Sequence, residues 1–173
     1  MRLIRCTHEA YAQAILDILN EAIVTSTALY DYAPRPLDSM RGWFEAKAAR
    51  GFPVIGAVDG AGTLMGFASY GPWRNFPAYK YSVEHSVYVH RDHRGKGLAR
   101  QLMQALIDAA RAQGLHVMVG AIDAANTASM ALHEQLGFTH AGTVRQAGFK
   151  FGRWLDVAFY QRILDTPANP VDG

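Results

Sequence analysis

The sequence predicts a single α/β domain: a central mixed sheet, mostly antiparallel, with one parallel β-α-β unit and about four flanking helices. Two observations carry this. The first is the run from residue 80 to 122, which reads as strand, glycine turn, long helix and strand. A helical crossover between two strands makes them parallel neighbours. The second is a pair of antiparallel hairpins, one at 53–70 around Asp59-Gly60-Ala61-Gly62 and one at the C-terminal end over 138–163.

The elements follow in order. Residues 2–6 form a short strand. Thr7 caps a helix whose apolar residues Tyr11, Ile15, Ile18 and Ala22 recur at helical spacing. Residues 24–35 read as irregular. Pro36 opens a second helix, with Leu37, Met40 and Phe44 on one side and Gly51 past its end. Pro53–Val58 and Thr63–Tyr70 make the first hairpin, and 71–77 is a loop with two prolines and two aromatics. Strand 80–89 leads to the glycine turn. The third helix carries Leu98, Leu102, Leu106 and Ala110 in one stripe and stops at Gly114. His116–Ile122 is a strand, and a short helix spans about 126–136. Phe138–Gln146 and Arg153–Ile163 close the sheet. The domain is expected to cover 1–165, with 166–173 as a frayed tail.

Composition narrows the function. A 173-residue chain with 50% hydrophobic and 18% charged residues is globular. Its net charge of +2 does not suggest nucleic acid. One cysteine, Cys6, excludes an internal disulfide and fits a reducing compartment, and a buried, inert thiol is expected in this first strand. No signal-like apolar run opens the chain and no stretch suits a membrane span, so a cytoplasmic location is expected.

The most informative stretch is Ser82-Val-Glu84-His85-Ser-Val87-Tyr88-Val89-His-Arg-Asp-His-Arg94-Gly95-Lys96-Gly97-Leu98-Ala99. A glycine turn feeding a helix aims several backbone N–H groups at one spot, where the helix dipole favours negative charge. Gly95 and Gly97 let a phosphate come close to the backbone. The turn is therefore expected to cradle a pyrophosphate. Glu84 lies upstream on the same strand. His85, His90 and His93 have no converging carboxylate or thiol set, and no metal is expected.

Arg94-Gly-Lys-Gly-Leu-Ala99 resembles the Arg/Gln-x-x-Gly-x-Gly/Ala element of the GNAT N-acetyltransferase superfamily, and Asn126-Thr-Ala-Ser129-Met-Ala-Leu-His133-Glu-Gln-Leu-Gly137-Phe138 resembles its second acetyl-CoA element. A closer likeness is to the phosphinothricin and methionine sulfoximine acetyltransferase branch, through Gly71-Pro-Trp-Arg74, Glu84–Val89, His133–Phe138 and Gly148–Val157. The resemblance implies an acetyltransferase fold and direct acetyl transfer from acetyl-CoA to an amine. By the same carry-over, the Arg94, Gly95, Lys96, Gly97, Leu98 and Ala99 backbone holds the pyrophosphate. Val87, Tyr88 and Val89 flank the pantetheine arm, Asn126 and Ser129 bind the cofactor, and Glu84 is the base.

The chemistry of the residues fits these roles. A protonated amine has no lone pair, so some group must take its proton, and Glu84 suits this. His133 stands where many members carry a tyrosine acid, and an imidazole there either donates a proton to the thiolate or bonds the cofactor. Arg74, framed by Trp73 and Phe76, is expected to hold a substrate carboxylate, with Tyr30 and Tyr79 lining the pocket. Trp154 and Phe159 are expected in the core or a homodimer interface. Asp156 is assigned no role. The expected substrate is a small-molecule amine, a free amino acid or toxic analogue such as phosphinothricin, methionine sulfoximine or methionine sulfone. The competing readings are an acetyltransferase for protein N-termini or other amines, and a non-catalytic acetyl-CoA-binding module.

Overall fold

In the structure, a computed structural model that describes residues 1–172, the elements alternate as the sequence predicts. They are β1 (Arg2–Arg5), α1 (His8–Thr25), α2 (Ser39–Ala48), β2 (Val54–Val58), β3 (Leu64–Pro72), β4 (Ser82–Val89), α3 (Leu98–Ala112), β5 (Val117–Asp123), α4 (Thr127–Gln135), β6 (Thr139–Lys150) and β7 (Arg153–Ile163). Single 3-10 turns occupy Pro77–Tyr79 and Arg91–His93. The strands hydrogen-bond in the order β1-β2-β3-β4-β5-β7-β6. The β4–β5 pair is parallel, as a helical crossover requires, and the β1–β2, β2–β3, β5–β7 and β6–β7 pairs are antiparallel. The chain divides into two compact units, residues 1–70 with 86–106, and residues 71–85 with those from 107 onward.

In the first unit, α1 starts where Thr7 accepts a hydrogen bond from the Ala10 N–H. Ile15, Ile18 and Ala22 of the predicted stripe are buried, and Ile15 and Ile18, with Leu16 and Leu19 beside them, pack with Met40, Val54, Val58, Leu64 and Phe67. Two boundaries differ from the sequence reading. Val24 and Thr25 belong to the last turn of α1, which ends where the Ser26 N–H and hydroxyl both donate to the Ala22 carbonyl. The second helix begins at Ser39, because Pro36 and Leu37 accept turn bonds from Ser39 and Met40 before regular helix sets in. The irregular segment that follows α1 is tied to it by Asn20, whose side chain bonds both the N–H and the carbonyl of Arg35. Cys6 is buried and its thiol pKa is pushed up to about 12 by burial, as suits an inert thiol. Gly56 makes that burial possible: a Cβ there would stand 2.5 Å from Cys6 Sγ.

In the second unit, β5 pairs with β7 from Val117↔Ile163 to Asp123↔Val157, and β6 pairs with the other edge of β7. Strand β6 runs to Lys150, past its expected end at Gln146. An irregularity absorbs the extra residues: Gln146 takes a positive φ of 52° and its N–H donates to Asp156 Oδ1 at 2.8 Å. Asp156 thereby holds the bulge. The tail, expected to fray, is tied at two points. The Thr166 hydroxyl bonds the Leu115 carbonyl, and Tyr81 Oη exchanges hydrogen bonds with the Val171 backbone at 3.1 and 3.3 Å. Among the described residues no helix is long and apolar enough to cross a membrane, and no group of three His, Cys, Asp or Glu side chains could hold a metal ion.

Candidate active site

The glycine turn belongs to the first unit. Strand β4 ends at Val89, and the 3-10 turn at Arg91–His93 opens as His90 Nδ1 accepts from the Asp92 N–H. Gly95 and Gly97 both adopt left-handed backbone, φ 74° and 75°, which an L side chain takes only under strain. A Cβ at either would meet nothing within 4 Å, so the space over the turn is open to an incoming group. Leu98 begins α3, and the first-turn N–H groups of any helix lack acceptors of their own. This open, donor-rich turn fits a pyrophosphate.

Two side chains of the turn brace it. Arg94 donates to the Val89 carbonyl at 3.2 Å and pairs with Glu21 of α1 at 2.6 Å. Lys96 Nζ reaches back to the Asp92 carbonyl at 2.9 Å. Tyr88 lays its ring on Phe67, with centroids 5.5 Å apart, as part of the core margin. Val87 and Val89 are half-buried on the same strand. Tyr30 is 41% exposed on the segment after α1.

Glu84 belongs to the second unit, at the last rung of the three-pair parallel ladder, Glu84↔Val119. The side chains of β4 alternate as the sequence implies: Val83 and His85 are buried, and Glu84 between them is half-buried. Burial raises the Glu84 pKa above the usual carboxylate value, and the Arg74 guanidinium acts in the opposite sense. Such a carboxyl is a stronger proton acceptor than one in water. Arg74 itself is exposed, with its Cζ 4.9 Å from the centre of the Trp73 ring. Trp73 is anchored by an edge contact with Phe159 and by its N–H to the Ser82 carbonyl. Of the two flanking aromatics, only Trp73 is seen against Arg74. Phe76 is 74% exposed, and Tyr79 is also exposed in its 3-10 turn.

Helix α4 places His133 and Asn126. Asn126 Oδ1 caps the helix by accepting the Ser129 N–H at 3.0 Å. His133 is 2% exposed, with Nδ1 2.7 Å from the Ser129 carbonyl and Nε2 2.9 Å from Nε2 of His85. Sequence reasoning missed this pairing. Its signals were an inward-facing histidine on β4 and a glycine in the buried strand β5, neither of which names a partner on a helix 48 residues away.

The chain resembles known proteins over most of its length. The model of the Acetyltransferase (GNAT) family matches residues 13–138. The chain is 53% identical to an L-methionine sulfoximine/L-methionine sulfone acetyltransferase of Pseudomonas paraeruginosa, over 87% of this chain and 88% of that protein. It is 37% identical to a phosphinothricin N-acetyltransferase of Streptomyces viridochromogenes, over 96% of this chain and 90% of that protein. It superposes with a TM-score of 0.94 on the structure of yncA from Salmonella typhimurium with its cofactor acetyl-CoA, at 43% identity, covering 99% of this chain and 98% of that one. With the glycine turn, the α4 cap and the parallel β4–β5 pair in place, the chain belongs to the acetyltransferase (GNAT) family.

Proposed function

We propose that this acetyl-CoA-dependent N-acetyltransferase acetylates the α-amine of a small free amino acid or toxic analogue: methionine sulfoximine, methionine sulfone or phosphinothricin. The observation that carries the reading is the half-buried Glu84 carboxyl, raised in pKa by burial and acted on by the Arg74 guanidinium. The first is a proton acceptor for an ammonium and the second a cation for a carboxylate. A free amino acid carries both groups. The names of the relatives support the same class of substrate.

Bound acetyl-CoA supplies an acetyl group activated as a thioester. When bound, it would be held at its pyrophosphate by the Arg94–Ala99 backbone and along its pantetheine arm by Val87, Tyr88 and Val89, and Asn126 and Ser129 are further cofactor-binding residues. Glu84 takes the proton of the substrate ammonium, directly or through water, and so exposes the attacking lone pair. Arg74 orients the substrate by a forked pair of bonds to its carboxylate. Tyr79 and, in the first unit, Tyr30 are exposed and available to a substrate. The domain spans 1–165 and works in the cytoplasm as a homodimer. Support for the dimer is the exposed apolar group Val144, Phe149, Phe151 and Trp154 on β6, β7 and their turn.

The test is a comparison of methionine sulfone with its decarboxylated amine, in wild type and in Arg74→Ala. Wild type is expected to favour the amino acid. Arg74→Ala should lose about tenfold in kcat/KM for the amino acid and little for the amine, the scale of one charged hydrogen bond at an exposed site. Equal rates on both compounds in wild type would favour the general-amine reading instead.

A further inference from the structure

The His85–His133 pair is buried, and the reading above gives it no task. Its two rings stack with centroids 4.9 Å apart. Phe138 closes one side, edge-on to both rings at 5.6 and 5.1 Å. Tyr160, whose hydroxyl donates to Glu134, is a further titratable group that faces His133. On β5 the pair meets Gly120, where a Cβ would lie 2.6 Å from His85 Nε2 and 2.9 Å from His133 Nε2. The last rung of the parallel ladder is Glu84↔Val119, so His85 and Gly120 are the next residues on the two strands. The pair thus fills the space over a glycine at the point where the ladder ends.

The protons of the pair can be assigned. The Ser129 carbonyl can only accept, so His133 Nδ1 carries the hydrogen of that 2.7 Å bond. Burial disfavours the charged imidazole in both rings, and His85 is lowered to about 3. In a neutral His133, Nε2 is then a bare acceptor, and the 2.9 Å contact requires His85 to donate its own Nε2–H. His85 Nδ1 is left bare, and it has no hydrogen-bond partner among the described residues. His133 holds one proton, and that proton is bound to a helix carbonyl.

We propose that His133 is a positioning residue for Glu84 and not the proton donor to the departing thiolate: through its tautomer-locked bond to His85 it pins β4 one residue beyond the carboxylate and fixes where that carboxylate stands. The inference rests on the reading of Glu84 as the base. As the C–S bond breaks, the CoA thiolate leaves unassisted and takes a proton from solvent, to which the new amide nitrogen releases its second proton; the moderate pKa of a thiol allows this.

A double-mutant cycle with pH profiles tests this. The amide oxygen of glutamine reaches the position of imidazole Nε2, so His133→Gln keeps the acceptor for His85 and removes the titrating ring. His133→Leu removes the acceptor. His133→Leu should lose roughly 10- to 100-fold in kcat, with KM for acetyl-CoA changed less than about twofold, and the acid limb of its kcat profile should move. His133→Gln should recover most of the loss. In a Glu84→Gln background, His133→Leu should cost little more, because the residue acts through Glu84. An equal loss in His133→Gln and His133→Leu, disappearance of an alkaline limb in both, or a full multiplicative loss in the double variant would overturn the proposal. Unchanged turnover in Glu84→Gln alone would remove the base, and the inference with it. Should His133→Leu fail to fold, the imidazole nitrogen-15 shifts of wild type decide. The expected pattern at neutral pH is Nδ1–H on His133 and Nε2–H on His85, and an imidazolium or the reverse tautomers would contradict it.

Discussion

Glu84→Gln is expected to lower turnover roughly 10²- to 10⁴-fold at neutral pH while acetyl-CoA affinity stays close to that of wild type. Glutamine keeps the shape of the side chain and removes its basic oxygen, so binding and proton removal are separated. The pH dependence follows from the direction of the Glu84 shift. Burial raises its pKa, so the active carboxylate form is lost at a higher pH than for a solvated glutamate as acid is added. Wild-type kcat should therefore fall on the acid side, and this limb should vanish in the variant. The residual rate should instead climb with pH, because solution itself deprotonates the amine. A steady-state pH series with each protein measures both effects, and wild-type rates in Glu84→Gln at neutral pH would remove Glu84 from the mechanism.

Gly97→Glu is expected to weaken acetyl-CoA binding by roughly 100-fold or more, the scale of a close like-charge contact added to a lost charge-favouring site. Two effects combine. A side chain at φ 75° strains the turn, and the new carboxylate would occupy the open space proposed for the phosphates. Gly97→Ala separates them, since it carries the strain without the charge. Its loss should be about tenfold or less. Titration calorimetry with acetyl-CoA at low and moderate salt reads the difference, because only the charge component fades as salt rises. Unaltered affinity in Gly97→Glu would place the cradle elsewhere.

Local signals in the sequence were enough for the order of elements. The helical stripe through Ile15, Ile18 and Ala22, the Thr7 and Asn126 caps and the glycine that stops α3 each act within a few residues, and each has its counterpart in the structure. The misplaced boundaries are element ends, set by turn bonds around α1 and α2 and by a bulge in β6. Strand β3 runs on to Pro72, where a proline suits a strand end. Strand β6 lengthens around a bulge that Asp156 holds from the neighbouring strand. The site divides in the same way. The glycine turn and Glu84 could be read from one continuous segment. The contacts that support them could not: Glu21 on Arg94 is a pairing 73 residues apart. Away from the site, Lys47, whose amine bonds the Tyr70 carbonyl and is lowered to about 8 by burial, is another contact between residues distant in sequence. The exposed Phe76 shows the opposite error, since aromatic flanks in a loop suggest enclosure that only packing can supply.

The central claim is acetyl transfer from acetyl-CoA to the α-amine of a free amino acid, and a thiol-release screen with product analysis tests it most directly. The panel is phosphinothricin, methionine sulfoximine, methionine sulfone, common amino acids, decarboxylated amines and short peptides, each with acetyl-CoA. The account predicts thiol release with the amino acid analogues, an acetyl group on the α-nitrogen by NMR, and little release with amines or peptides. Release confined to peptides, or acetyl-CoA binding with no turnover on any amine, would contradict it.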